Sequence, residues 1–134
     1  AARPVGTKLL WLASQVGAHG PGAVWVRWRR ADPAPRLGAV EARLIPTPGH
    51  TASNLSVFCA ADAVLFSGDC VVTGYAPNLD DPTMDRQAWL ESLDILSGLK
   101  PAVLVPGHGE VLSGDAAREG IERMKREIGG RPGR

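Results

Sequence analysis

The stretch Leu44-Ile-Pro-Thr-Pro-Gly-His50-Thr51 ends an apolar run at a Pro-Gly turn and places a histidine directly after it. Val64-Leu-Phe-Ser-Gly-Asp69 repeats this arrangement with an acid after the turn, and Ala102-Val-Leu-Val-Pro-Gly-His108-Gly109 repeats it with a second histidine. Short β-branched runs that stop at Gly or Pro are typical of buried strands. Glycine permits the sharp exit that turns the next side chain into a shared cleft.

The three polar residues after these runs form a candidate metal site. Each segment alone is weak evidence, because a histidine after Pro-Gly is usually an exposed turn residue and Ser-Gly-Asp is an ordinary turn. The chain has only three histidines, however, and two of them occupy the same context. Imidazole nitrogens and a carboxylate oxygen suit a borderline metal such as zinc. We therefore predict that His50, Asp69 and His108 are metal ligands that converge on one cleft.

Thr47-Pro-Gly-His-Thr51, Ser67-Gly-Asp69 and Pro106-Gly-His-Gly109, in this order, resemble the later metal-binding motifs of the metallo-β-lactamase-fold hydrolases. The resemblance is closest to the glyoxalase II-like branch, which uses a bridging aspartate. It implies that His50 binds one zinc ion, that His108 binds the other and that Asp69 bridges the two. It also implies that the Thr51 hydroxyl supports the ligands from behind.

The first motif of that family, His-x-His-x-Asp-His, is absent, since it needs three histidines and only His19 precedes His50. His19 lies in a Gly-rich stretch, so we expect a turn residue there rather than a ligand. The resemblance therefore implies an α/β fold that is an incomplete αββα sandwich, mainly its second half. We expect the missing ligands upstream of Ala1 or on a partner chain, and a start at Ala rather than Met agrees with a fragment or a processed product.

The bulk composition predicts one truncated domain over residues 1–134, with a frayed basic tail at residues 130–134. A hydrophobic content of 44% and a charged content of 22% are ordinary for a globular protein. A net charge of +1 gives no reason to expect nucleic acid or a membrane as a partner. The alternation of Trp and Arg over residues 23–30 could stack on nucleic acid, but a half-solvated edge strand is favoured. The two cysteines indicate reduced thiols and a cytoplasmic setting.

The local patterns predict the order of the secondary structure elements. They are a helix over residues 6–16, strands over 23–30 and 40–45, a hairpin of 53–60 and 63–67, a helix over 84–96, a strand leading into His108 and a helix over 116–128. We expect the middle helix to be capped by Thr83 or Asp85 and the last by Asp115. Cys59 and Cys70 fall on the two arms of the hairpin, too far apart to bridge, and Cys70 is expected to be a small buried side chain.

Three functions agree with these residues. The favoured one is a zinc-dependent hydrolase of a small-molecule ester, thioester or related bond, in which this chain is a fragment or split subunit that is inactive alone. A complete site would hold two zinc ions, whereas His50, Asp69 and His108 would hold at most one, weakly. The alternative is a degenerate, non-catalytic member that acts as a binding or dimerisation module, with a homodimer or a complementing chain as its partner. The third is a small mononuclear hydrolase.

Overall fold

A computed structural model of the chain describes residues 40–130 in full, and the backbone pairing of residues 7–12, 24–29 and 36–37. The elements in chain order are β1 (Thr7–Leu12), β2 (Val24–Arg29), β3 (Arg36–Leu37), β4 (Val40–Glu41), β5 (Arg43–Pro46), β6 (Leu55–Cys59), β7 (Val64–Val72), α1 (Arg86–Gly98), β8 (Val103–His108), β9 (Leu112–Ser113) and α2 (Asp115–Gly129). The chain divides into two compact units, Ala1–Pro35 and Arg36–Arg134.

In the first unit, β1 and β2 form an antiparallel pair in which Thr7 lies opposite Arg29 and Leu12 opposite Val24. The strand predicted over residues 23–30 is confirmed as β2. The helix predicted over residues 6–16 is wrong, because residues 7–12 form β1. The periodicity of a short apolar run does not distinguish a helix from a strand. Residues 7–12 form a strand because they pair with β2. The turn predicted around His19 lies outside the described residues, as do residues 131–134 of the tail.

The second unit is built on a five-stranded sheet in the order β5-β6-β7-β8-β9. Neighbouring strands are antiparallel except β7 and β8, which are parallel and are joined by α1 as the crossover helix. The predicted hairpin is confirmed, with Cys59 opposite Val64 across its turn. Its second arm is longer than predicted, since β7 continues beyond Ser67 to Val72. Both cysteines are free, as expected, and both are buried, as expected for Cys70.

Both helices contribute to one hydrophobic core together with one face of the sheet. The cross-strand neighbours Phe58, Leu65 and Leu104 belong to this core. A period of 3.6 residues predicts one buried face on each helix, with Trp89, Leu90, Leu93 and Leu96 on the first and Ala117, Ile121, Met124 and Ile128 on the second. All of these residues are buried except Leu90, which is partly buried. Sheet and helices thus form the layered but incomplete α/β fold that the sequence predicts.

The starts of the two helices differ in how their backbone amides are satisfied. Asp85 caps α1 by accepting a hydrogen bond from the Ala88 amide, so the second of the two predicted caps is the correct one. At α2 the predicted cap is wrong. Gly114 occupies the N-cap position and provides no side-chain hydrogen bond. Asp115 lies in the first turn of α2, where its negative charge interacts favourably with the helix dipole. Within the described residues, no helix is both long and apolar enough to cross a membrane.

Candidate metal centre

His50 lies on the turn that follows β5, and helix α1 holds this turn in place. The Ser92 hydroxyl donates to the Pro48 carbonyl over 2.7 Å, and the Asp85 amide donates to the Gly49 carbonyl over 2.8 Å. Gly49 has a φ of +148°, and a Cβ there would overlap the Cα and Cβ of Trp89. Only glycine fits so close an approach, which accounts for the Pro-Gly pair before the histidine.

The His50 ring packs edge-on against the Trp89 indole, with the ring centroids 5.3 Å apart and an interplanar angle of 83°. The Trp89 Nε1 in turn donates to the Cys70 carbonyl over 2.9 Å. The Nδ1 atom of His50 is buried and has no hydrogen-bond partner among the described residues. A buried nitrogen without a partner is unusual in a native fold, so the Nδ1 atom of His50 is available to a ligand such as a metal ion.

Asp69 and His108 lie beside each other on the parallel strands β7 and β8. Their Oδ1 and Nε2 atoms are 3.3 Å apart, and the side chains keep 38% and 63% of their surface exposed. A Cβ at Gly107 would overlap Asp69 Oδ1 and would lie 2.7 Å from the Gly68 carbonyl group. The Pro-Gly-His sequence at this strand end therefore lets the aspartate carboxylate reach the histidine ring.

Of the three predicted ligands, Asp69 and His108 lie together, and His50 does not form a group with them. Asp69 and His108 are in direct contact. Within the described residues, no group of three or more His, Cys, Asp or Glu side chains is arranged to hold a metal ion. His50 is therefore not part of a closed cluster with the other two, and the assignment of the three residues as ligands stays a prediction.

A buried polar cluster behind Asp69 was not foreseen from the sequence. It consists of Thr47, Asn54, Ser56 and Ser67, and hydrogen bonds join its members across β5, β6 and β7. Thr47, Ser56 and Ser67 are fully buried. Buried hydroxyl groups require hydrogen-bond partners. The presence of Thr47, Ser56 and Ser67 in or beside apolar strands was therefore the sequence feature that could have indicated this cluster.

Thr51 was predicted to support the ligands with its hydroxyl, and this stays a prediction. Its backbone carbonyl accepts hydrogen bonds from the Gly49 amide over 3.1 Å and from the Asn54 amide over 3.4 Å. Thr51 thus closes the turn that carries His50.

The thiol of Cys70, the residue after Asp69, is fully buried, and burial raises its pKa to about 12. A protonated, enclosed thiol agrees with the packing role expected for it.

Asp81 lies in the segment between β7 and α1. It accepts hydrogen bonds from the Thr83 amide over 2.8 Å and from the Thr83 hydroxyl over 2.7 Å. These two bonds, with a smaller contribution from the charge of His50, lower the pKa of the Asp81 carboxyl. The carboxylate therefore acts locally, by ordering the turn that precedes helix α1.

A surface cavity of about 400 Å³ opens where β7 and β8 end, and its lining includes Thr73, Gly109, Glu110 and Arg123. The Thr73 amide donates to the His108 carbonyl over 3.0 Å, so the cavity adjoins the strand end that carries His108. The guanidinium of Arg123 is engaged with the Val72 carbonyl and the Glu127 carboxylate. The positive charge of Arg123 on the cavity wall is therefore already compensated by Glu127.

The chain belongs to the metallo-beta-lactamase superfamily, whose family model matches residues 3–108. This is a metallo-hydrolase type of family, and its members generally bind metal ions, often zinc. The fold predicted from the three motifs is thereby confirmed.

The chain is 38% identical over 88 residues to the beta-lactamase-like protein 2 homolog of Caenorhabditis elegans, covering 63% of this chain and 28% of that protein. It is 30% identical over 98 residues to the probable metallo-hydrolase YflN of Bacillus subtilis, covering 63% of this chain and 37% of that protein. The solved structure of a metallo-beta-lactamase from Pontibacter korlensis superposes with a TM-score of 0.64 at 24% identity, over 76% of this chain and 47% of that one. That last likeness shows the fold alone. The chain spans about a third of the length of the curated relatives it matches.

The residues of the site fit zinc in kind but not in number. A carboxylate beside an accessible imidazole, and a second imidazole with an unpartnered buried nitrogen, are zinc donors. A catalytic zinc ion takes three protein ligands and an open position, and a pair of ions takes more. The described residues do not supply such a set around one point.

Proposed function

We propose that this chain carries half of the metal site of a zinc-dependent hydrolase that acts on a small-molecule ester, thioester or related bond. The contact between Asp69 and His108 carries the proposal, because it brings an accessible carboxylate from the irregular part of β7 beside an accessible imidazole at the end of β8. In this scheme His50, Asp69 and His108 would hold the zinc through two imidazoles and one carboxylate. Superfamily membership and the metallo-hydrolase named among the relatives support it.

The metal, when bound, would supply a water of lowered pKa as the nucleophile and a positive charge for the developing oxyanion. The chain itself would orient this chemistry. Helix α1 would hold the His50 ring through Trp89, and Gly107 would let the Asp69 carboxylate approach His108. We propose that ligands outside these 134 residues complete the site, from the same polypeptide or from a complementing chain. Alone, the chain would then bind one zinc ion weakly at most and would be inactive.

Metal titration of the purified chain tests the ligand assignment. After dialysis against a mild chelator, zinc content and affinity are measured for the wild type and for His50→Ala, Asp69→Asn and His108→Ala. Weak, substoichiometric binding that all three substitutions reduce is the expected result. His19→Ala is the matched control, because it removes the remaining histidine of the chain and leaves the motifs intact.

Two outcomes would overturn the assignment. In the first, His19→Ala lowers affinity as much as the motif variants do, which would indicate unspecific binding. In the second, two zinc ions per chain are held tightly, which would show that further ligands exist within the chain. A longer polypeptide or partner chain that supplies the missing ligands should restore two-metal binding and hydrolysis of a generic thioester. Failure of both, with sedimentation as a dimer, would favour the non-catalytic dimerisation module instead.

A further inference from the structure

The side chain of Asn54, just before β6, connects two of the motif segments. Its Nδ2 donates to the Thr47 hydroxyl over 2.7 Å and to the Ser67 carbonyl over 3.4 Å. Its Oδ1 accepts a hydrogen bond from the Asp69 amide over 3.2 Å. One side-chain amide thus joins the strand end before His50 to the strand segment that carries Asp69.

The hydrogen bond from the Asp69 amide to Asn54 takes the place of a backbone hydrogen bond to a neighbouring strand. The pairing of β7 with β8 shifts register between Phe66 and Gly68 and again between Gly68 and Val72. Asp69 is outside the paired residues on this side, and it is also beyond the last pair of β7 with β6. An irregularity of this kind re-aims a side chain but leaves backbone groups without ladder partners. Asn54 Oδ1 takes the place of the missing partner for the Asp69 amide.

The orientation of the Asn54 amide group is determined by its surroundings. The Ser67 carbonyl can only accept and the Asp69 amide can only donate, so the nitrogen must face Ser67 and the oxygen must face Asp69. The Thr47 hydroxyl is itself fixed by Ser56 at 2.8 Å, in a fully buried setting. Gly68 leaves room for this arrangement, because a Cβ there would lie 2.8 Å from Asn54 Oδ1. The amide is therefore held from both sides.

We propose that Asn54 is a positioning residue for Asp69, whose carboxylate it holds beside His108 by fixing the Asp69 backbone. The inference rests on the proposed function in one respect, since the position of Asp69 affects chemistry only if Asp69 is a metal ligand. The geometric part is independent of any metal. Loss of the Asn54 amide should let the irregular segment of β7 relax and should separate the carboxylate from the His108 ring.

Nuclear magnetic resonance of the chain without metal tests the geometric part. Asn54→Leu keeps the side-chain size and removes all three hydrogen bonds, and Asn54→Ala is the second variant in case the first does not fold. We expect hydrogen exchange at the Asp69 amide to accelerate about 10-fold or more relative to the amides of the β6–β7 ladder, the effect of losing roughly 1.4 kcal/mol of local protection. The nuclear Overhauser contact between the His108 ring and the Asp69 β-protons should also weaken.

Ser56→Ala is the matched control, because it removes hydrogen bonds of the same buried cluster without touching Asp69. It should lower global stability and leave the relative exchange of the Asp69 amide unchanged. The proposal fails if Ser56→Ala produces the same local loss, since Asn54 would then be structural only. It also fails if both Asn54 variants keep the Asp69 amide protected and the His108 contact intact.

Zinc titration of the same proteins connects the geometry to the proposed function. Substitutions behind metal ligands typically weaken metal affinity about 10–100-fold, and we expect a loss in this range for Asn54→Leu but not for Ser56→Ala. If no zinc is taken up even when a longer polypeptide or a partner chain supplies the missing ligands, the proposed function is contradicted, while the resonance experiment still decides the role of Asn54. If zinc binds equally to wild type and Asn54→Leu, the positioning role is overturned and the proposed function stands.

Discussion

Gly107 lies against Asp69 so closely that the space for a Cβ at Gly107 is already taken by Asp69 Oδ1. The same space borders the backbone of Gly68, which is 2.7 Å from the position of that Cβ. The glycine before His108 is therefore a packing requirement of the neighbouring strand. It lets the Asp69 carboxylate come within 3.3 Å of the His108 imidazole.

Gly107→Ala should therefore disturb the site as well as the fold. Because the added methyl group meets backbone as well as a carboxylate, we expect a loss of about 1–3 kcal/mol in the free energy of unfolding, measured in urea. The Asp69 and His108 resonances should shift together. Gly98→Ala is the control, since a Cβ at Gly98 meets nothing within 4 Å. An equal loss in both variants would contradict the crowding at Gly107.

Trp89→Leu should change the position of the His50 ring, which packs against Trp89. Trp89 is fully buried, and its replacement removes both the ring contact with His50 and the hydrogen bond to Cys70. We expect a loss of about 3 kcal/mol or more in the free energy of unfolding and a clear shift of the His50 ring protons. Leu93→Ala, on the same buried face of α1, should cost about 2–5 kcal/mol without that shift. Similar His50 spectra in the two variants would count against support by Trp89.

Asp85→Ala should destabilise helix α1 more than Thr83→Ala does. Asp85 accepts from the Ala88 amide at the helix start, whereas Thr83 donates to the exposed Asp81. Loss of a side-chain cap typically costs about 1 kcal/mol. Thermal or urea unfolding of the two variants measures the difference. The reverse order would show that Thr83, the other candidate from the sequence, is the effective cap.

Stability should fall at acidic pH partly through Glu122 of α2. The Ser97 hydroxyl donates to this carboxylate over 2.6 Å, and this bond, with help from Lys125, lowers the pKa of Glu122 below its ordinary 4.5. A lowered folded pKa means that the stabilisation is present above pH 4.5 and is lost as the pH falls through the folded value. The effect should stay below about 1 kcal/mol, because Glu122 is partly exposed.

Urea unfolding between pH 3 and pH 6 measures this contribution. Glu122→Gln and Ser97→Ala should both flatten the pH dependence, since each removes the hydrogen bond between Ser97 of α1 and Glu122 of α2. Glu119→Gln is the control, because the partner of Glu119 is Arg126 of the same helix. Unchanged pH profiles for Glu122→Gln and Ser97→Ala would contradict the assignment.

The strands that carry the motifs could be predicted because their signals are local. An apolar β-branched run is recognisable from neighbouring residues, and β5, β7 and β8 contain those runs. Of the three strands, only β5 ends at its predicted turn, because β7 continues through Ser67-Gly68 and β8 continues through Pro106-Gly107. The helix faces of α1 and α2 were predictable for the same reason, since a period of 3.6 residues is visible within a dozen positions. Periodicity could not determine the secondary structure of residues 7–12. The sequence pattern favoured a helix, but these residues form a strand that pairs with β2.

The sequence by itself determined the kinds of donor, their order and the strands that deliver them. The tertiary structure decided which donors meet. Asp69 reaches His108 because β7 and β8 are parallel neighbours and the register of β7 shifts at Gly68. The supporting role of Asn54 depends on contacts with residues seven and fifteen positions away, which no local pattern encodes. His50 is packed against Trp89 of a distant helix, because burial acts between segments that are far apart in the chain.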